Sequence, residues 1–226
     1  MTLTDTDPTA LDLYREVHKG LRRALFHLCE EAGALEPSDF SARRGFAARF
    51  AEVDRMLTQH HGHEDGGALG QLVEQAAPHL IHELQAGHEK ATEDLVALRG
   101  AITAYSHGHN NADQLYDSLT SFVTDYLGHM AFEEYQVMPA LWAQASFEQL
   151  MTIEIGIRTA ITPTNMVVFM RWMLPAMNPE ERLTMLGQMQ VGAPPDVFDT
   201  FWATAADVLT DDQLAFVAGR IGMVTA

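Results

Sequence analysis

Four stretches of this chain carry an apolar stripe at alternating steps of three and four residues, and histidine interrupts every stripe. The first runs Leu11, Tyr14, His18, Leu21, Leu25, Leu28, and the second Phe46, Phe50, Val53, Leu57, His60, Glu64. The third runs Ile81, Leu84, His88, Ala91, Leu95, Leu98, Ile102, and the fourth Leu115, Leu119, Phe122, Tyr126, His129, Glu133. A three-four rhythm keeps one face of an α-helix toward its partners, and four such faces are buried together in a bundle. The predicted fold is all-α: an antiparallel up-down-up-down four-helix bundle over residues 8–145, then a C-terminal helical extension over 146–226.

Helix signals bracket the stripes. Asp7 before Pro8 reads as a cap and first helical residue, opening a helix that runs to about Glu31. Gly33 to Pro37 is a turn, Ser38 or Asp39 caps a second helix, and Gly66-Gly67 follows its end near Asp65. A loose segment with one short helical piece leads to a third helix from about Pro78 to Tyr105. After the loop Ser106 to Asn111, the fourth helix spans about Ala112 to Ala143, with Pro139 bending its last turns. In the extension, Thr162-Pro163, Asn178-Pro179 and Pro194-Pro195 mark helix starts, and Thr210 with Gln213 matches a capping box. Its many methionines read as packing for the extra helices.

The stripes are apolar except for histidine, or histidine with glutamate four residues on. His60 with Glu64 and His129 with Glu133 lie one turn apart on a single helix face, so each pair reaches a common centre. His18 to His60 is 42 residues and His88 to His129 is 41, so a one-histidine helix followed by an HxxxE helix occurs twice. At the helical rise, His18, His88 and Glu133 lie about 15 Å from their helix ends and His60 about 7 Å, toward one end of an up-down bundle. Two buried carboxylates without partners would be costly or lose their charge. A metal pair accommodates both, and mixed imidazole and carboxylate donors suit iron, manganese or zinc.

Other histidines share the chain. His61 and Asp65 repeat the four-residue spacing but sit about 100° off the stripe, and are read as surface or supporting positions. His27, His79, His82, His107 and His109 are read in the same way, and His63 as a hydrogen-bond donor near the ligands. Tyr14 and Tyr126 stand one turn before His18 and His129. They are either core aromatics or hydroxyl groups serving the metals.

At these residues the sequence resembles the hemerythrin-like, or HHE cation-binding, family over about residues 10 to 145. The resemblance rests on His18, His60-xxx-Glu64, His88 and His129-xxx-Glu133, and on Val137-Met-Pro139 after the last motif. It implies two iron ions bridged by carboxylates and an oxo or hydroxo group: His18 and His60 on one, His88 and His129 on the other, Glu64 and Glu133 between them. Oxygen-carrying members have a second histidine four residues after the first on the third helix, where this chain has Thr92. Their last carboxylate is an aspartate five residues after its histidine, where this chain has Glu133 after four. The bacterial HHE pattern therefore fits better than that of a reversible carrier. The expected small-molecule partners are dioxygen, hydrogen peroxide or nitric oxide. The functions this leaves open are a binding or protective protein, a di-iron oxidase or oxygenase using the C-terminal helices for an organic substrate, and an iron or oxygen sensor.

Charge and cysteine content narrow the setting. A net charge of −17 repels phosphate backbones and anionic lipid, so nucleic acid and membrane surfaces are excluded as partners. Cys29, the only cysteine, cannot form an intramolecular disulfide or a cysteine-based metal site. Met1 to Pro8 lacks the order of a signal peptide, and Met166 to Met177, broken by Arg171 and Pro175, is too short to span a bilayer. A soluble cytoplasmic protein is expected, with a homodimer allowed.

Overall fold

The computed structural model describes residues 7–36, 38–109 and 111–223. The reading of the first six residues as free of signal-peptide order lies outside the described residues, as do Pro37 and Asn110 of the two expected turns. Among the described residues the chain is all-α, with no strand. No helix among them is long and apolar enough to cross a membrane.

The second and third stripes lie on α2 (Phe40–Asp65) and α4 (Ile81–Ser106). The first lies on α1 (Arg15–Gly33) from His18 onward, with Leu11 and Tyr14 before it, and the fourth lies on α5 (Ala112–Phe132) up to His129, with Glu133 just past its end. A short α3 (Gly67–Ala76) follows α2. The first helix does not start at Pro8 as expected. A 3-10 turn occupies Pro8–Ala10, and α1 begins at Arg15. Asp12 explains the restart, because its Oδ1 accepts the backbone N–H groups of Tyr14 (3.0 Å) and Arg15 (2.9 Å). These are the donors that a helix N-terminus leaves open. Asp39 does the same for α2, accepting from Ser41 and Ala42 at 2.8 and 3.0 Å. Gly67, at φ +64°, takes the left-handed conformation that glycine adopts without steric cost. It turns the chain from α2 into α3. The stripe residues from Phe46 to Glu64 on α2, Leu84 to Ile102 on α4 and Leu115 to Tyr126 on α5 are buried, and α4 packs against both α2 and α5.

A π-helical turn, Glu133–Val137, joins α5 to α6 (Met138–Gln144). Within it the Met138 N–H donates to the Glu133 carbonyl five residues back. Pro139 has no N–H to offer and its ring crowds the carbonyl four residues before it in an α-helix. The wider turn relieves that crowding. It also buries Glu133, Glu134 and Val137 while leaving Tyr135 68% exposed.

The chain groups into two compact units: residues up to Arg15 with Ala24–Arg158, and Glu16–Arg23 with residues from Thr159 on. In the first, α7 (Phe147–Ala160) joins the core, where Tyr14, Leu84, Val137, Leu141 and Leu150 form one apolar cluster. Trp142 Nε1 donates to the Leu11 carbonyl at 2.8 Å, tying α6 to the segment before α1.

The second unit contains α8 (Pro163–Ala176), α9 (Pro179–Gly192), α10 (Pro195–Val208) and α11 (Asp211–Ile221). Their starts agree with the proline and capping signals. Asn178 with Glu181, and Thr210 with Gln213, each form a reciprocal capping box. Arg182 is buried, and its Nε donates to the Leu174 carbonyl at 2.7 Å. The guanidinium thereby serves a carbonyl that the end of α8 leaves without a helical partner.

Candidate metal centre

The first turn of α1, the last two turns of α2, the second turn of α4 and the junction of α5 with the π-turn supply the histidines and carboxylates. Glu64 and Glu133 are 4% and 0% exposed. Each carboxylate lies between histidines of different helices. Glu64 Oε1 is 3.1 Å from His60 Nε2, and its Oε2 is 3.3 Å from His88 Nε2. Glu133 Oε1 is 3.1 Å from His129 Nε2 and 3.3 Å from His88 Nε2.

Two sets of donors result. His18, His60, Glu64 and Glu133, all buried, each place one ligand atom within 4.8 Å of the others. His61, His88 and His129 form a second set by the same measure. The six residues singled out on the stripes are thus all present, divided between the two sets. This donor chemistry fits a metal pair: neutral imidazoles and carboxylates are the ligands of iron, zinc or manganese. Two carboxylates buried this deeply need positive charge nearby.

His61 departs from its expected position. Although it is about 100° off the stripe, its ring is 5% exposed. It stacks on His88, with ring centroids 4.9 Å apart, and its Nε2 lies 2.9 Å from Tyr126 Oη. A bundle helix packed between neighbours buries a face at least as wide as this offset, so the neighbouring position in sequence is also interior. The exposed positions of His27, His79, His82, His107 and His109 agree with the sequence reading, and His63 is half-buried.

Two residues off the stripes shape the surroundings of these rings. Asp65 Oδ1 pairs with His88 Nδ1. A carboxylate on one ring nitrogen fixes the imidazole and leaves Nε2 toward a metal, as outer partners of metal-bound histidines commonly do. The sequence reads Asp65 as a surface or supporting position paired with His61, and the structure gives it the supporting role at His88. Gly87 is the other. A Cβ there would meet His129 Cε1 at 2.8 Å and Cγ at 3.2 Å, so the bare backbone makes room for the ring.

The local field differs from ring to ring. Burial pushes His61 down to about 4, with His88 and His129 adding to the effect. Burial also pulls His88 down, but hydrogen bonds to Glu133, Glu64 and Asp65 outweigh it and raise the ring to about 11. Without a metal, a proton between the carboxylates supplies the missing positive charge. Burial, then the charges of Glu64 and Glu133, hold the hydroxyls of Tyr14 and Tyr126 well above the usual tyrosine range. Both remain protonated.

A cavity of about 410 Å³ reaches this centre between α4 and α5, lined by Gly87, Phe122, Tyr126, Gly128, His129 and Phe132. Lys90 stands at its edge, paired with Asp94 at 2.6 Å and Asp125 at 3.0 Å.

Comparison with known proteins gave no match among curated proteins and none among solved structures. The family model of the hemerythrin HHE cation binding domain does match, over residues 9–141. That span contains every residue of both donor sets, which gives the cation-binding description a physical location. With more than half its length in the match, the chain belongs to the hemerythrin HHE cation-binding family.

Proposed function

We propose that this is a non-haem di-iron protein that binds or reacts with dioxygen, hydrogen peroxide or nitric oxide. The observation that carries the reading is the placement of Glu64: one carboxylate oxygen beside His60 and the other beside His88, in the buried centre. A carboxylate that serves two metals needs this arrangement. His18 and His60 would hold one iron and His88 and His129 the other, with Glu64 and Glu133 spanning them. When bound, the iron pair supplies Lewis-acidic, redox-active positions at which small ligands exchange.

The chain's own residues set the surroundings of the pair. Asp65 orients His88, and Gly87 lets His129 lie against α4. The protonated Tyr126, whose hydroxyl lies 2.9 Å from His61 Nε2, forms part of the cavity wall. Phe122 and Phe132 keep that wall apolar, which suits small neutral molecules.

The purified protein should carry close to two irons, and the iron-loaded form should consume peroxide or react with nitric oxide faster than it forms a stable oxygen adduct. Stopped-flow mixing of reduced protein with oxygen and nitric oxide, and of oxidised protein with peroxide, measures this. A long-lived reversible oxygen complex without peroxide or nitric oxide turnover refutes it. The cavity, large enough for a small organic molecule, supports a second reading as a di-iron oxidase. Oxygen consumption that depends on an added organic compound would favour that reading.

A further inference from the structure

We propose that the cavity between α4 and α5 is the way into the centre, and that the charges at its mouth pass neutral molecules and hold anions back. The inference rests on the di-iron reading and adds what governs access to that centre. The cavity exists because long side chains are missing where the two helices face each other. Ala86, Gly87 and Ala91 line it from α4 and Gly128 from α5, and none carries more than a methyl group. A Cβ placed on Gly128 would meet nothing within 4 Å, so the space beside it is open. The lining reaches His129, whose Nε2 lies 3.1 Å from Glu133 Oε1.

The charged residues of the lining stand at its outer edge. Glu83, Lys90 and Asp94 follow one another on α4 by steps of seven and four, which keeps them on one face, and Asp125 stands across on α5. Lys90 Nζ spans the gap, 2.6 Å from Asp94 and 3.0 Å from Asp125. Lys90 and Asp125 are half-exposed, whereas the side chain of His129 is 8% exposed, so an incoming molecule meets the charges before the ring. Three carboxylates against one ammonium leave two negative charges at this mouth, on a chain whose net charge is −17. A cleft lined by one sign of charge focuses its field and repels an approaching ion of that sign. Dioxygen, nitric oxide and hydrogen peroxide carry no charge and pass, whereas azide, nitrite or superoxide is slowed. The filter stands ahead of the centre and not at it. It therefore changes entry and exit together and leaves affinity alone.

The test uses iron-loaded protein at low ionic strength, with azide on the oxidised form as the anion and nitric oxide on the reduced form as the neutral probe. Stopped-flow absorption follows both. A unit charge about 8 Å from an ion's path in water changes its rate about two- to threefold. Relative to nitric oxide in the same protein, azide should enter faster by that factor in Asp125→Asn and slower by it in Lys90→Met. Adding Glu83→Gln to Asp125→Asn should bring the gain to about fivefold. Azide release should change in step, so that its Kd holds. In about 1 M salt, where the Debye length is about 3 Å, the differences should vanish. Asp113→Asn, about 18 Å back along α5, should change nothing. Gly128→Leu, which fills the open space, should slow both probes at unchanged iron content. Azide rates indifferent to these charges, or a Gly128→Leu protein that admits both probes at wild-type rates, overturn the proposal. A wild-type protein that binds no iron overturns the di-iron reading itself, a distinct result. Zinc-loaded protein, which is diamagnetic, reads the filter independently by NMR. A neutral nitroxide should broaden the Gly87 and Gly128 amide signals more than a carboxylate nitroxide of equal size, and the Glu83→Gln/Asp125→Asn protein should lose that preference. Equal broadening by the two nitroxides in wild type overturns the filter.

Discussion

Replacing Gly87 by alanine asks whether the metal centre depends on a missing methyl group. In an exposed helix interior, glycine to alanine ordinarily stabilises by roughly 0.5–1 kcal/mol. At Gly87 the added Cβ would stand 2.8 Å from His129 Cε1, and ordinary contact begins at 3.4 Å, so the ring must retreat by at least about 0.6 Å. That is about three times the ±0.2 Å latitude of a metal–ligand bond. The helix gain is therefore spent against a displaced ligand. Gly87→Ala should fold, with helical circular dichroism intact, yet lose most of the metal at the His129 side, so that iron content falls from near two toward one. Gly100→Ala supplies the comparison on the same helix, because nothing lies within 4 Å of its new Cβ. It should keep its iron and gain stability in a thermal melt. Elemental analysis with chelator competition reads both variants. A Gly87→Ala protein holding two irons at wild-type affinity would refute the reasoning.

Particular contacts lead to three further outcomes. Asp65→Asn, which removes the carboxylate on His88 Nδ1, should weaken metal binding about 10- to 100-fold; chelator titration at unchanged affinity counts against it. In the metal-free protein, His88 is raised from 6.5 to about 11, so its stabilisation is complete below 6.5 and is lost as pH rises toward 11. His61 is lowered from 6.5 to about 4, so the unfolded state takes up protons first and stability falls as pH drops from 6.5 toward 4. Thermal melts of chelator-treated protein should therefore peak near pH 6.5, and His88→Gln should abolish the alkaline decline; a profile unchanged by that substitution sinks the assignment. Arg182→Ala, which strips the donor from the Leu174 carbonyl, should cost about 1.5–3 kcal/mol, read as faster amide exchange in α8 and α9. Unchanged exchange would show that water replaces the guanidinium without loss.

The bundle was legible because its stripes combine two signals that seldom coincide by accident: apolar periodicity, and metal-ligating side chains in the same register. His18, His60, Glu64, His88, His129 and Glu133 each fall on a stripe, and the structure gathers them at one centre. What stayed hidden depends on neighbours rather than on spacing. His61 is interior because Tyr126 of α5 faces it, and a single helix's periodicity does not say how wide a face its partners cover. Asp65 is half-exposed and looks like any acidic residue at a helix end until His88 is brought to it. Gly87 matters through a close approach across two helices, which no local pattern encodes. The late start of α1 turned on Asp12 capping Tyr14 and Arg15, while Asp7 caps only the 3-10 turn, accepting from the Thr9 N–H at 3.0 Å.

The π-turn at Glu133–Val137 gives the chain an unusual relation to insertions and deletions. One residue more than an α-helical turn is absorbed there, so α6 keeps its inward face although the count is out of step. Removing one residue, such as the exposed Tyr135, would let the segment wind as plain α-helix without turning Met138 and Leu141 away from the core. The cost would fall on Pro139, whose ring would then meet the Glu134 carbonyl four positions before it. Deletion alone should therefore damage the protein, whereas the same deletion combined with Pro139→Ala should be tolerated. Chain length and proline at this junction are two halves of one constraint, and homologous chains are free to lose them only together.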